Sequence, residues 1–371
     1  MNAPLPRGLC PTLASPMQTG DGLLVRLHPV ALGLLPNTLI ALCEAALRHG
    51  NGIVEVTARG NLQIRGLTAS SALGLSQDVD ALDIAVRTGV PVETGPLAGL
   101  DPHEIADPTR LAERIRAVIA AAALAARLGP KVSVVIDGGG SSGLGEVIAD
   151  VRLTAVRNGE GIAWRLAVAG DAATATPLLD GLDEDAACAA VLSVLEAVAA
   201  LARAGRARDL TSEVLEGVFP EGLHSMLPPT VLPDISPIGG EIGRHQRFRQ
   251  SSTLQDKAAR SPQPISPQVG EMSGRTEGGN VERDVHKRRS FDIIPLSDSR
   301  FAVPVALPFG QITADALIEF IRAAEAFGAR EIRLAPQRTL LLLSQSQAAA
   351  EDVRSAAQAA GLITDLSLIH I

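Results

Sequence analysis

The chain has 371 residues and a formal net charge of −8; 46% of it is hydrophobic but only 2% aromatic, with no tyrosine. That length allows two or three domains around an interior of Ala, Leu, Val and Ile, and the acidic balance argues against nucleic acid, which needs a basic face. Three scattered cysteines, Cys10, Cys43 and Cys188, fit neither a disulfide framework nor a metal site. Apolar runs such as "AVIAAAALAA" are about ten residues long, short of the ~20 that span a bilayer. The N-terminus "MNAPLPRGLCPTL" lacks a basic-then-apolar leader, so the expectation is a soluble cytoplasmic protein with no membrane or nucleic-acid partner.

In chain order, "GLLVRL" (22–27) reads as a short strand. "PNTLIALCEAALRHG" follows as a helix, with Pro36 near its start and Gly50 just past its end. Leu39, Ile40, Cys43, Ala46 and Leu47 recur at helical spacing, which places Cys43 in the core. Next, "IVEV" and "LQIRGL" flank Arg59-Gly60-Asn61 as a hairpin. A three-residue loop there pairs Ala58 with Leu62 and Val56 with Ile64, putting the apolar side chains on one face. Thr57, Gln63 and Arg65 then share the other face, with Arg59 at the tip. Plain solvent exposure would suit the same polar set.

Residues 80–232 form a central region. It holds an Ala-rich helix from Thr109 to Leu128, a strand running into a glycine loop in "KVSVVIDGGG", a hairpin turning at "RNGEG", and a long amphipathic helix over 183–204. The loop "DGGGSSGLG" has neither GxGxxG nor a GK[ST] ending, so it does not read as a nucleotide site. Residues 233–294 are poor in apolar residues, locally basic, and repeat an ISPxxGE pattern at 235 and 265. They read as an inserted, disordered linker, the alternative being a basic arm for an anionic partner.

The first pattern then returns. "RFAVPVAL", "TADALIEFIRAAEAFG" and "AREIRLAPQRTLLLL" repeat strand, helix, strand, turn, strand over 295–364. A constant offset of 278 residues carries Gly50 onto Gly328, Val56 onto Leu334, Arg59 onto Gln337 and Leu62 onto Leu340. This is an internal duplication of an α+β unit, and duplicated units often close a cleft with their matched tips facing each other.

The unit "GDGLLVRLHP…TARGNLQIRGL", with its T-x-R-x-x-x-Q hairpin and its later copy "FAVPVALPFG…IRLAPQRTLLLL", resembles the ferredoxin-like half-domain of the nitrite and sulfite reductase superfamily. "RGLCPTLASPMQTGDGLLVRLHP" and "LPFG" are similar to its oxygen-dependent branch, the precorrin-3B synthases of aerobic cobalamin synthesis. The resemblance implies an α+β fold: two ferredoxin-like half-domains (1–79 and 295–364) around a central α/β domain (80–232). It implies an oxidoreductase of monooxygenase type that converts precorrin-3A, O2 and a reductant such as NADH to precorrin-3B. A four-iron, four-sulfur cluster, a further iron and an electron-transfer partner belong to that expectation. Arg26, Thr57, Arg59, Gln63, Arg65, Lys131, Arg333, Gln337 and Arg338 would bind the carboxylates of the tetrapyrrole, for which guanidinium is well suited. No catalytic residue is named, Arg152 is set aside, and His28 and His49 read as structural.

The family's cluster needs four cysteines in two close pairs after the second half-domain. This chain has none there and ends in an atypical tail (365–371) within "GLITDLSLIHI". The expectation is a truncated chain that holds no cluster of its own and is inactive. Two other readings share the pattern: a siroheme-dependent nitrite or sulfite reductase fragment, and a non-enzymatic tetrapyrrole-binding remnant.

Overall fold

A computed structural model describes residues 11–219 and 291–365, apart from residues 31, 160 and 202–203. Nearly all of the expected linker and the end of the tail lie outside the described residues, as does Cys10.

The first half-domain runs β1 (Met17–Thr19), β2 (Gly22–Leu27), β3 (Gly33–Leu34), α1 (Pro36–His49), β4 (Ile53–Val56), β5 (Leu62–Leu67) and α2 (Ala69–Ala81). Helix α1 has Pro36 in its first turn, where a missing N–H costs nothing, and buries Leu39, Ile40, Leu42 and Cys43. Gly50, just after it, serves close approach rather than handedness: a Cβ there would lie 2.3 Å from Arg65 O.

The central region follows as β6 (Val92–Thr94), α3 (Thr109–Ala121), α4 (Leu124–Arg127), β7 (Val134–Asp137), β8 (Ala149–Asn158), β9 (Gly161–Gly170), β10 (Thr176–Leu182), α5 (Glu184–Ala200) and α6 (Ser212–Gly217). Its sheet has the order β10-β9-β8-β7-β6, antiparallel from β10 to β8 and parallel from there to β6. The helix expected over Thr109–Leu128 is broken. Ala123 sits in the left-handed region (φ +49), and the chain restarts so that Leu124 and Leu128 are both buried. The periodicity of an alanine run cannot register such a break.

The second half-domain runs β11 (Ile294–Pro295), β12 (Phe301–Ala306), β13 (Gln311–Thr313), α7 (Ala314–Ala326), β14 (Ala329–Ala335), β15 (Thr339–Ser344) and α8 (Gln347–Ala359). The expected linker reaches too far, because Phe291 is buried and Ile294 pairs with Ala302.

The two half-domain sheets have the orders β1-β2-β5-β4-β13 and β11-β12-β15-β14-β3. Each is completed by a strand of the other copy. Strand β13 of the second copy pairs with β4 (Ile312 opposite Val54), and β3 of the first pairs with β14 (Leu34 opposite Ile332). One apolar core therefore runs through both copies, from Leu39, Val54 and Ile64 to Leu317, Ile332 and Leu342.

The hairpin tips meet at the pseudo-twofold. Gln337 N donates to Ala58 O at 2.8 Å and Arg338 N to Thr57 O at 3.3 Å. Gly60 (φ +75) lies so close that a Cβ would be 2.7 Å from the Ala335 carbonyl carbon. Gly60→Ala is therefore expected to cost ~2–4 kcal/mol, combining strain with loss of the tip contact. Gly159→Ala, also at positive φ (+59) but facing open space, should cost only ~1 kcal/mol. Urea midpoints of the two variants check this, and equal losses would contradict the tip contact.

Candidate functional site

On the first hairpin Val56 pairs with Leu62, and Thr57 N donates to Asn61 O at 2.8 Å. The loop is thus Ala58-Arg59-Gly60, and the expected register is displaced by two residues. Two is a whole side-chain period, so the faces stay as expected. Thr57 fastens the turn, its Oγ1 accepting from Asn61 N at 3.0 Å.

The polar face is a connected network. Arg26 on β2 stands opposite Gln63 and donates to its Oε1 from Nε and Nη2, at 2.9 and 2.5 Å. Gln63 donates to the Glu55 carboxylate, which also accepts from Arg65 Nη1 at 2.8 Å and from Gln311 Nε2 at 2.5 Å. Arg65 further holds Asp21, from Nε at 3.0 Å and Nη2 at 3.1 Å. The hydrogen bonds from Arg65 pull the Asp21 carboxyl down to about 2. Glu55 and Gln63 are buried in this network, which leaves the guanidiniums fixed before any ligand arrives. Sequence reasoning passed over Glu55, although alternation along β4 puts it on the face of Thr57.

The tips reach into the central region. Arg59 donates to Ile148 O and lies 3.4 Å from both Glu93 oxygens and from Ser133 Oγ. Gln337, its counterpart, donates to Glu146, so both tips hold the loop between β7 and β8. That loop is shaped from within. Asp137 accepts from Gly139 N and Leu144 N, each at 3.0 Å, while Asp101 accepts from Ser141 N. Arg152, set aside by the sequence reading, is buried beneath it and donates from Nη2 to Leu144 O (3.1 Å) and Val147 O (2.5 Å).

The other expected residues separate. Arg338 is exposed in the left-handed region (φ +64), its stem lying over Gly310. Lys131 is exposed in the turn before β7, two residues from Ser133. Arg333 is buried and already paired, with Glu331 at 2.6 Å and Pro96 O at 2.9 Å. The 278-residue offset matches Arg333 with Glu55, so it is no counterpart of the first-copy arginines.

Between the first tip, β6 and the segment before α1 lies a crevice of about 50 Å³, lined among others by His28, Arg59, Arg87, Glu93 and Thr94. Burial first, then the charges of Arg87, Arg116 and Arg59, push the His28 imidazole down to about 4. Burial pushes the Glu93 carboxyl up, against the pull of Arg59. Sequence reasoning took His28 as structural; what brings it here is tertiary, since it faces residues thirty and more positions away.

Residues 15–82 and 294–360 match the family described as the nitrite/sulfite reductase ferredoxin-like half domain. A precorrin-3B synthase from Sinorhizobium is 36% identical over 365 residues, covering 96% of this chain and 68% of that protein. The chain belongs to the precorrin-3B synthase family. Its fold is also that of the Mycobacterium tuberculosis NirA protein, with a TM-score of 0.64 at 18% identity, over 92% of this chain and 57% of that one. The α+β reading from the sequence stands. Among the described residues, no helix is long and apolar enough to cross a membrane.

Iron–sulfur chemistry is the family expectation, yet the described residues do not fit a cluster. Cys43 and Cys188 are buried in different regions, and no three of the described His, Cys, Asp or Glu side chains converge as metal ligands.

Because His28 binds a proton near pH 6.5 when unfolded and only near 4 when folded, acidification through that window favours the unfolded chain. The loss reaches roughly 3 kcal/mol at most, and the term is absent above pH 7. His28→Gln should lose less stability than the parent between pH 7 and 4.5. Parallel losses in urea titrations would contradict the buried neutral imidazole.

Proposed function

We propose that the chain acts as a precorrin-3B synthase, binding precorrin-3A through its carboxylates along the first hairpin and its tip. In the reaction one atom of O2 enters the macrocycle as a hydroxyl and the ring-A acetate closes to a lactone. The other atom leaves as water, with two electrons from a reductant such as NADH or an electron-transfer partner. The observation that carries the reading is the 36% identity along nearly the whole chain. Oxygen activation would be supplied by iron and a four-iron, four-sulfur cluster, as expected for the family, for which the described residues offer no ligand set.

The chain's own residues would bind and orient. Arg59, with 34% of its side chain exposed, can turn toward a ligand carboxylate, whereas Arg65, 27% exposed, offers its open edge from a position fixed by Asp21 and Glu55. The contact of Arg59 with Glu93, at 3.4 Å, is long for a charge-assisted bond and easily exchanged. Arg338 and Lys131 add exposed cations, and Arg26, Gln63 and Gln337 keep the hairpin face and tip in place. Multiple anchors on a rigid sheet fix one edge of the macrocycle, which is how positioning lowers a barrier. Arg333 would act by holding the Pro96 segment.

Binding tests this without turnover. Anaerobic titration with precorrin-3A, followed by absorbance, should show one saturable site. Arg59→Ala should weaken it ~10–100-fold, the worth of a charge-assisted pair. Absence of saturable binding to the parent protein would overturn the reading.

A further inference from the structure

The crevice beside Arg59 holds more positive charge than its own residues neutralise. Arg87, after α2, and Arg116, on α3, converge on one oxygen: both donate to Val92 O, at 3.1 and 2.8 Å. Arg87 also reaches Val30 O at 3.2 Å. Among the described residues neither is in salt-bridge contact with a carboxylate; Glu93 and Glu113 act on them only from a distance. Carbonyl partners satisfy donors but leave the charge. Arg59 is the third cation, and Glu93 is the acid that lines the crevice. Two guanidiniums, Arg59 and Arg87, thus line the crevice with one carboxylate, and Arg116 adds a third positive charge from behind the shared Val92 carbonyl. Burial, then the charge of Arg116, brings Arg87 down to about 10, and burial lowers Arg116 as well. That is the signature of charge awaiting a counter-ion.

We infer that this crevice is a binding site for a single carboxylate group, held by Arg87 and Arg59, with the charge of Arg116 adding to the attraction from behind Val92. Its volume of about 50 Å³ admits one such group and no macrocycle. His28, neutral at pH 7, and Thr94 line it and offer polar contact without adding charge. The carboxylate has two sources: an acetate or propionate arm of a tetrapyrrole, or a free small carboxylate. The first rests on the function proposed above and the second does not.

The experiment separates them. Melting temperature is followed against sodium acetate, with sodium chloride at equal ionic strength as reference. Uroporphyrin III, a tetrapyrrole octacarboxylate, is titrated by fluorescence with and without acetate. Variants are Arg87→Gln and Arg116→Gln, either of which suffices if the other fails to fold. Arg165→Gln, which removes the same charge from an exposed pair with Asp180, is the control. The expected result is a saturable rise of about 2–4 °C with acetate in the parent and control, absent in the crevice variants. Uroporphyrin affinity should fall about tenfold in the crevice variants, with acetate competing in the parent. An acetate response alone keeps the site and makes a free carboxylate its ligand. That holds also if uroporphyrin does not bind at all, which counts against the tetrapyrrole reading only. An effect on uroporphyrin alone keeps the site with the macrocycle arm as ligand. If acetate stabilises no more than chloride and the crevice variants bind uroporphyrin like the parent, the inference is overturned.

Discussion

Each copy of the duplicated unit closes its sheet with a strand of the other, and this exchange fixes everything around it. β13 on β4 and β3 on β14 tie the copies by backbone hydrogen bonds at both ends of the pseudo-twofold. The hairpin tips are joined between them through Ala58 and Gln337. A tip that is bonded to its partner cannot swing, so Arg59 and Gln337 project onto the central region from a fixed base. The loop between β7 and β8 receives both, and Arg152 holds it from beneath. Positioning of this kind costs little at the moment of binding, because the ordering occurred on folding.

The duplication is symmetric in backbone and asymmetric in chemistry. On the first copy the face away from the helices carries Arg26, Glu55, Gln63 and Arg65. On the second, the 278-residue offset puts Pro304, Arg333, Leu341 and Leu343 in those places. Leu341 and Leu343 are packed against Leu97 of the central region, with Leu296 and Ala302. One face is thus used to seat the central region, and the other is free to carry charge. A carboxylate-rich ligand would be held by the charged copy, since the apolar one is already occupied by the central region.

Much of this was legible in the sequence where a local rule governed. The period-two pattern of "IVEV" and "LQIRGL" set the faces of the hairpin even though its register was two residues off. Pro36 and Gly50 marked α1. The duplication was visible because the offset needed no gap. What escaped was whatever depends on long-range contact. Strand exchange leaves no local signal, since Gly33–Leu34 and Gln311–Thr313 are too short to show a period. The pairing of Arg333 with Glu331, the burial of Arg152 and the meeting of His28, Arg87 and Arg116 all depend on tertiary placement. The break at Ala123 escaped because alanine is the strongest helix former, so the run carries no stop signal where packing of Leu124 and Leu128 interrupts the helix.

The rigid first hairpin and its tip are the proposed seat of a carboxylate-bearing macrocycle. Hydrogen–deuterium exchange of the chain with and without uroporphyrin III tests it most directly. New protection is expected to concentrate in residues 57–65 and 87–94, with the second tip, 336–338, following through its bonds to the first. Protection confined to other segments, or none with uroporphyrin bound, would contradict it.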